Sequence, residues 1–282
     1  NNNWVRRRAL ESIYCAKSGH PGGVLSSIDI IDFLFSHEMN YNVGDFESNE
    51  RDRFILSKGH SAPALYAVAA KVGIISKDRL NGLRKINHEL QAHTHRVTTP
   101  WVEASTGSLG QGFSFAIGEA KALKIRSIGN RVYVMLGDGE LQEGEIWEGA
   151  MFAAHHRLNN LCAIVDYNKM QSDDLNENIM GLEPLTDKWA SFGWNVIEID
   201  GHNPHEMRVA FDAARNIMDQ PTVVIANTIK GKGVSYMENS PTWHGSLELS
   251  NEDFKQALLE LGVADSEIGD IINEKESKIN CQ

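Results

Sequence analysis

The sequence lacks several features that would define a class of protein by themselves. Only three of its 282 residues are cysteines, Cys15, Cys162 and Cys281, which are widely spaced and odd in number. This pattern predicts neither a disulfide framework nor a zinc site, and it favours a reducing, cytoplasmic compartment. The longest apolar runs, such as residues 161–165 and 223–226, fall far short of the roughly 20 residues that a membrane-spanning helix needs. We therefore do not expect a membrane protein.

Positive charge is also scarce. Lysine and arginine number 27 against 38 aspartates and glutamates, which gives a formal net charge of −11. Such a surface repels polyanions, so nucleic acid is not an expected partner, although small anions could still bind locally. The sequence contains no P-loop motif, and the glycine-rich segment 107–112 does not have the spacing of a dinucleotide-binding fingerprint. Neither of these nucleotide-binding folds is predicted.

The residues that are present indicate a compact α/β protein. Hydrophobic residues make up 41% and charged residues 23% of the chain, which is ordinary for a globular domain. Short β-branched or apolar runs alternate with helical patterns, and this alternation predicts a doubly wound, mostly parallel sheet covered by helices. We expect one domain over residues 1–282, with a helical C-terminal tail from about 251 to 282. The predicted strands are residues 131–137, 161–166, 194–200 and 222–228.

Helical patterns lie before and between these strands. The segments 28–35 and 62–72 each follow a loop that contains Gly-His, and the segment 113–124 follows a glycine-rich loop. The segment 143–157 places apolar residues near one face, as an amphipathic helix does. It joins the first two predicted strands into a βαβ unit, whose strands are expected to be parallel.

A Gly-Asp-Gly-Glu sequence stands directly after the first predicted strand. It consists of Gly137, Asp138, Gly139 and Glu140, and a right-handed crossover would bring Asn168 to the same edge of the sheet. Carboxylate and amide oxygens are hard ligands that suit Mg²⁺, and the glycines allow a diphosphate to approach the backbone. A bare Gly-Asp-Gly is more often a tight turn. The later asparagine is what favours a metal and diphosphate site here.

This spacing resembles the thiamine-diphosphate motif of one enzyme superfamily. Further segments resemble transketolases specifically, and together with the motif they extend from about residue 18 to residue 245. They are residues 18–23 (Ser-Gly-His-Pro-Gly-Gly), 56–61 (Leu-Ser-Lys-Gly-His-Ser), 91–93 (Gln-Ala-His) and 238–245 (Glu-Asn-Ser-Pro-Thr-Trp-His-Gly). The chain therefore resembles the cofactor-binding part of a transketolase.

The resemblance implies a cofactor and a metal. The cofactor would be thiamine diphosphate, and the metal would be Mg²⁺, with Ca²⁺ or Mn²⁺ as substitutes. On the same resemblance, the metal ligands are Asp138, Asn168 and the backbone carbonyl of Met170. The cofactor contacts would be His60, Ser108, Leu109, Gly110, Gly137, Asp138, Gly139, Glu140, Asn168 and His244.

Three histidines are assigned to catalysis by the resemblance. The thiamine ylid attacks a ketose carbonyl, and the resulting alkoxide must be stabilised and relieved of its proton, for which imidazole is suited near neutral pH. His20 and His244 are expected to face the reacting carbonyl and hydroxyls, and His93 the ketol end of the donor. Many transketolases have Gly-His-Pro where this chain has Ala-His-Thr around His93. The loop is thus expected to differ in shape, and His95 or Arg96 could help to recognise an unusual sugar.

The resemblance also implies a partner. Full-length transketolases continue into a pyrimidine-binding domain and a C-terminal domain, and the glutamate that activates the cofactor lies in that portion. The expected function is that of the N-terminal subunit of a split transketolase, which works with a C-terminal subunit to transfer a two-carbon ketol unit between sugar phosphates. The alternative is a fragment of a longer chain. Glu143 and Glu148 match a carboxylate network at the transketolase subunit contact, so a homodimer of this chain within a heterotetramer is expected.

Two other functions stay open on the sequence alone. An α subunit of a 2-oxoacid dehydrogenase shares Gly-Asp-Gly and the later asparagine, but it is not expected to carry segments 18–23 and 243–245 together. A catalytically silent thiamine-diphosphate-binding subunit, or a scaffold subunit, would have the same fold. Retention of Asp138, Asn168 and the histidines argues against such a loss of activity. An assay of ketol transfer with and without the partner distinguishes these possibilities.

Overall fold

A single parallel sheet forms the centre of the molecule. The computed structural model describes residues 2–172, 174–245 and 247–279, so Cys281 and the last residues of the predicted tail lie outside it. Within the described residues, five strands pair in the order β1-β2-β3-β5-β4, and every pairing is parallel. The predicted α/β fold is therefore confirmed. The strands are β1 (Arg53–Leu56), β2 (Val132–Gly137), β3 (Leu161–Tyr167), β4 (Asn195–Asp200) and β5 (Thr222–Asn227).

Helices cover both faces of the sheet. Alternate residues of a strand point to opposite faces, so Tyr133 and Met135 of β2 join one hydrophobic cluster and Val132 and Val134 the other. The helices are α1 (Asn3–Ala16), α2 (Pro21–Phe33), α3 (Ala62–Val72), α4 (Gln111–Ile125), α5 (Gly144–His155), α6 (Asn176–Ile179), α7 (Leu185–Ser191), α8 (Pro204–Asn216), α9 (Asn251–Glu260) and α10 (Asp265–Ile279). The first cluster includes residues of α1, α2, α3, α8 and α9, and the second includes residues of α4, α5 and α7.

Several elements differ from the sequence-based prediction, and for two of them the physical reason is clear. The strand β1 was not predicted, because it is only four residues long and begins with Arg53 beside other charged residues. The helix α2 begins at Pro21, seven residues before the predicted start, because Pro-Gly-Gly is typical of a loop. Proline is nevertheless well suited to the first turn of a helix, where its missing N–H is not needed. The glycine at position 22 also has a packing reason, since a Cβ there would lie 2.8 Å from the carbonyl oxygen of Trp243.

The C-terminal segment is helical over its described residues and packs on the first helix. A capping box between Ser250 and Asp253 begins α9. In α10, the buried Lys275 lies 3.0 Å from Glu11 of α1, which anchors this helix to the rest of the fold. No helix among the described residues is both long and apolar enough to cross a membrane. Cys15 and Cys162 are free and buried.

Candidate active site

The carboxyl ends of the strands meet at one cavity of about 270 Å³. Lys58 follows β1, Asp138 follows β2, Asn168 follows β3, and Lys230 lies three residues after β5. This placement follows from the parallel sheet, because loops at the carboxyl edge form the ligand crevice of such folds. Most of the residues predicted from the sequence also line the cavity. They are His20, His60, His93, Leu109, Gly137, Asp138, Gly139, Glu140, Asn168, Met170 and His244.

Some predicted residues lie outside this cavity. Ser108 is exposed and does not line it, and Gly110 reaches it only through its N–H, which donates to Glu140 Oε1 at 2.8 Å. Glu143 and Glu148 are exposed beside and on α5. The structure therefore separates the predicted site into a buried cavity and an outward surface.

Oxygen donors suited to a divalent cation lie on two adjacent turns. Asp138 is 2% exposed, and its carboxylate accepts hydrogen bonds from the N–H of Gly139 at 2.8 Å and of Lys169 at 2.5 Å. Lys169 adopts a left-handed conformation with φ 65°, an uncommon state that persists where the surroundings enforce it. Asn168 is its neighbour in this turn, and its Oδ1 accepts from the N–H of Met170 at 3.1 Å. The turn thus brings Asn168 next to Asp138.

The ionisation of Asp138 depends on its surroundings. Burial, together with the carboxylate of Asp166, raises the pKa of Asp138 to about 6, and Lys58 and the two backbone N–H donors offset only part of this rise. A cation bound at this carboxylate would favour the ionised form. The arrangement therefore suits a metal ligand better than an isolated acid.

A buried ion pair stands behind these donors and was not predicted. Lys58 is 2% exposed and donates to Asp166, which is fully buried and also accepts from Ser26 at 2.6 Å and from Thr228. Burial alone would raise the pKa of Asp166, but Lys58 and these hydroxyl groups lower it below its usual value. The sequence carried one signal, because Lys58 lies in the same segment as His60. Asp166 ends the predicted strand 161–166 at the same edge of the sheet, but nothing in the sequence indicated that the two residues pair.

A second buried lysine faces the same cavity. Lys230 is fully buried, donates to Nδ1 of His244, and lies 3.3 Å from the carbonyl oxygens of both Met170 and Gln171. Burial, together with the charge of Lys58, lowers the pKa of Lys230 to about 8. Sequence reasoning missed this residue, although it follows a predicted strand at the carboxyl edge. The rule that located Asp138 brings the end of this strand to the cavity, but it does not predict the direction of a side chain three residues further on.

Three imidazole rings cluster in the lining of the cavity. The ring centroids of His20 and His60 are 5.3 Å apart, those of His60 and His244 are 5.6 Å apart, and those of His20 and His244 are 6.2 Å apart. Burial and nearby cations lower the pKa of His20 to about 4 and that of His244 to about 3, and they hold the pKa of His60 well below its usual value. All three rings are therefore neutral near pH 7.

Neutral rings can donate from one nitrogen and accept at the other. Because Lys230 donates to Nδ1 of His244, the neutral ring of His244 carries its proton on Nε2. The Nδ1 atom of His20 is buried and has no hydrogen-bond partner among the described residues. The cluster thus offers a hydrogen-bond donor at Nε2 of His244 and contains one buried nitrogen, Nδ1 of His20, without a partner among the described residues.

Three polar residues of one loop, His93, His95 and Arg96, make different contacts. His93 lines the cavity, and burial together with Arg84 lowers its pKa. His95 bonds instead to Thr98 at 3.1 Å. Arg96 donates to the carbonyl oxygens of residues 102 and 103, at 3.1 Å each. Neither side chain lines this cavity, and both make contacts within the loop. Their contribution to sugar recognition stays a prediction.

Glu140 ties the walls of the cavity to one another. It is 1% exposed and accepts from the N–H of Gly110 at 2.8 Å, from the N–H of Gly137 at 2.9 Å, and from the hydroxyl of Ser57. Burial raises its pKa despite these donors. One carboxyl group therefore fixes the glycine-rich loop against the turn that contains Asp138.

The chain matches a known protein family over almost its whole length. A family model described as the thiamine diphosphate binding domain of transketolase matches residues 2–279. The chain belongs to that family. Both the predicted family and the predicted enzyme class, transketolase, are confirmed. The α subunit of a 2-oxoacid dehydrogenase is set aside as an alternative.

Two curated relatives are similar over nearly their whole length. The 6-deoxy-6-sulfo-D-fructose transketolase subunit SqwG of Clostridium sp. (strain MSTE9) is 42% identical over 259 residues, which cover 92% of this chain and 94% of that protein. An apulose-4-phosphate transketolase subunit of Phocaeicola vulgatus is 36% identical over 256 residues, which cover 91% and 90%. A solved transketolase from Pichia stipitis has a TM-score of 0.89 at 27% identity, and the match covers 99% of this chain but 43% of that one. This transketolase domain thus corresponds to less than half of the solved chain.

Proposed function

We propose that this domain is the cofactor-binding subunit of a two-subunit transketolase. With thiamine diphosphate and Mg²⁺, it would transfer a two-carbon ketol unit between sugar phosphates. The observation that carries the proposal is one cavity in which oxygen donors, buried ammonium groups and three neutral imidazoles face each other. The expected cytoplasmic location stays a prediction.

The residues of the cavity fit a divalent cation with a diphosphate. Asp138 and Asn168 supply a carboxylate and an amide oxygen, and Mg²⁺ commonly binds through few protein oxygens while it keeps positions for phosphate oxygens and water. The ammonium groups of Lys58 and Lys230 suit the anionic oxygens of a diphosphate. The third expected ligand, the carbonyl oxygen of Met170, already lies 3.3 Å from Nζ of Lys230. A metal ion at that oxygen competes with the ammonium group.

The chemistry divides between the cofactor and the protein. Thiamine diphosphate, when bound, supplies the nucleophilic carbon that makes and breaks the carbon–carbon bond of the ketol group. His244, with its proton on Nε2, would donate a hydrogen bond to the substrate oxygen on which negative charge develops. His20 would face the reacting carbonyl and hydroxyls, and His93 would orient the ketol end of the donor.

The relatives support a partner subunit. Both curated relatives are named as subunits, and this chain covers at least 90% of their lengths. We propose a C-terminal subunit with the pyrimidine-binding and C-terminal domains as the partner, and a homodimer of this chain at the centre of a heterotetramer. The donor and acceptor are proposed to be sugar phosphates. The relatives act on different sugars by name, so their names do not select one.

Reconstitution tests the proposal. The chain and its partner are purified separately, mixed with thiamine diphosphate and Mg²⁺, and assayed for ketol transfer with a series of sugar phosphate donors and acceptors. We expect activity only in the mixture. A fully active 31.4 kDa monomer would refute the two-subunit proposal. A mixture that binds the cofactor but transfers no ketol group would indicate the catalytically silent alternative.

Calorimetry on the assembled protein tests the metal site. Asp138→Ala removes the only side-chain carboxylate proposed as a ligand, so Mg²⁺-dependent affinity for thiamine diphosphate should fall by more than roughly 100-fold, beyond the usual loss when a supporting residue of a metal site is changed. Asp187→Ala, on the surface helix α7, serves as the matched control. Unchanged affinity in Asp138→Ala would contradict the proposed metal site.

A further inference from the structure

One carboxylate outside the active-site cavity gathers two basic side chains. Asp29 of α2 is 8% exposed and accepts from Arg6, from Nδ1 of His202 at 2.6 Å and from the side-chain amide of Asn2 at 2.8 Å. His202 follows β4 at the carboxyl edge of the sheet. None of these residues contributes to the proposed chemistry. Their burial and mutual contacts call for another explanation.

Arg6 and His202 also form hydrogen bonds with one loop, residues 229–232. Nε2 of His202 accepts a hydrogen bond from the backbone N–H of Ile229 at 2.9 Å. Nε of Arg6 donates to the backbone carbonyl of Lys232 at 2.9 Å. Between these two anchors stands Lys230, whose ammonium group reaches into the cofactor cavity and donates to His244. The loop is therefore held on both sides of the one residue that enters the site.

The loop that carries Lys230 also contacts the helix α2, which begins directly after His20. The N–H of Gly231 donates to the carbonyl oxygen of Gly22 in the first turn of α2, at 3.0 Å. Asp29 lies two turns further along that helix, and His20 immediately precedes it. The same helix thus sets the position of His20 directly and that of Lys230 through Asp29.

The two hydrogen bonds of His202 determine which tautomer its ring adopts. A neutral ring that accepts at Nε2 must carry its proton on Nδ1, and that proton is donated to Asp29. Asp29 therefore fixes the tautomer that can hold the loop, as the outer partner of a histidine does at many ligand sites. A side chain without an acceptor at the Nε2 position could not replace it.

We propose that Asp29, His202 and Arg6 form a clamp that positions Lys230, and through it His244, in the cofactor cavity. The three are positioning residues and touch neither substrate nor cofactor. The clamp places the Lys230 ammonium group on Nδ1 of His244, and this contact keeps the proton of His244 on Nε2. The inference concerns the geometry of the chain itself and holds whether or not the proposed cofactor binds.

Two substitutions of His202 separate the clamp from general packing. His202→Gln retains a polar atom near the position of Nε2, where it can accept from Ile229, whereas His202→Asn retains one only near Nδ1. In the full chain, amide hydrogen exchange at Ile229 should be on the order of tenfold faster in His202→Asn, as expected when one such hydrogen bond is lost. It should stay near the wild-type rate in His202→Gln. His205→Asn, an exposed change on α8, is the control.

A second readout follows the effect into the cavity. In protein labelled with ¹⁵N-histidine, the Nδ1 and Nε2 signals of His244 should shift in His202→Asn and remain unchanged in His202→Gln and His205→Asn. Exchange of amides in β3 checks that the global fold is intact. Equal exchange at Ile229 in both His202 variants would overturn the clamp. Faster exchange at Ile229 with unchanged His244 signals would reduce it to a packing contact and would equally overturn the proposal.

Discussion

The carboxylates near the proposed metal ligands belong to two groups with opposite surroundings. Asp138, Glu140 and Asp166 are at most 2% exposed, and each accepts two or more hydrogen bonds from the protein. Glu143 and Glu148 follow within a few residues, yet both are exposed and form no hydrogen bond or ion pair with the described residues through their side chains. Sequence proximity therefore does not decide what an acidic residue does.

The difference has an energetic meaning. Burial of a charge costs several kcal/mol unless partners compensate it. The inner group, which consists of Asp138, Glu140 and Asp166, is therefore held by ammonium groups, hydroxyls and backbone N–H donors. The outer group, which consists of Glu143 and Glu148, is exposed and therefore carries no such desolvation cost in this chain. The inner carboxylates thus have hydrogen-bond partners within this chain, whereas the outer ones are exposed where a second subunit could bind.

The largest expected effect is the loss of turnover when His20 or His244 is replaced. His244→Ala and His20→Ala are each expected to lower turnover of the reconstituted enzyme by about 10²–10⁴-fold, the usual range for general acid–base groups. Because both rings line the cavity and belong to neither hydrophobic cluster, the free energy of unfolding should change far less. Steady-state kinetics and urea denaturation measure the two quantities.

His155→Ala provides the control for the histidines, since this ring is exposed on α5. Its turnover should equal that of the wild type. If His20→Ala and His244→Ala also kept normal turnover, their catalytic role would be wrong, and the histidines would be better explained as structural groups at the ends of loops.

The next effect concerns the cost of an unpaired buried charge. Lys58→Met leaves Asp166 buried without its cation, and it should lower the free energy of unfolding by about 3–5 kcal/mol. Lys71 offers a matched comparison, because it pairs with Asp32 at 2.6 Å but is 38% exposed. Lys71→Met should cost no more than about 1 kcal/mol. Urea denaturation that gave equal losses would mean that burial does not distinguish the two pairs.

The inner site could be predicted from the sequence only where residues stand directly at strand ends. Asp138 and Asn168 follow strands whose bounds were predicted to within one residue, so the parallel-sheet rule brought them to one edge. Lys230 stands three residues beyond its strand, and its direction depends on contacts with His244 and on a loop held by other elements. Asp166 ends the predicted strand 161–166 and was placed at this edge, but its pairing with Lys58 was not predicted. Such contacts between distant segments leave no local pattern in a sequence.

The outer carboxylates give the smallest expected effect and the sharpest test of assembly. We propose that Glu143 and Glu148 lie at a subunit interface, where closely spaced carboxyl groups can share protons. Glu143→Gln together with Glu148→Gln should change the free energy of unfolding of the isolated chain by less than about 0.5 kcal/mol, as other exposed substitutions do.

In the assembled enzyme the same double substitution should matter, because each carboxylate would then lose its contact with the second subunit. Association is expected to weaken by roughly fivefold, about 1 kcal/mol, which is the threshold that separates contributing from neutral interface residues. Sedimentation of the mixture with the partner measures this change, and Glu267→Gln on α10 is the exposed control. Equal association of both variants would place the outer carboxylates away from any interface. Their exposure would then reflect only a solvated helix N-terminus, where acidic groups are favoured by the helix dipole.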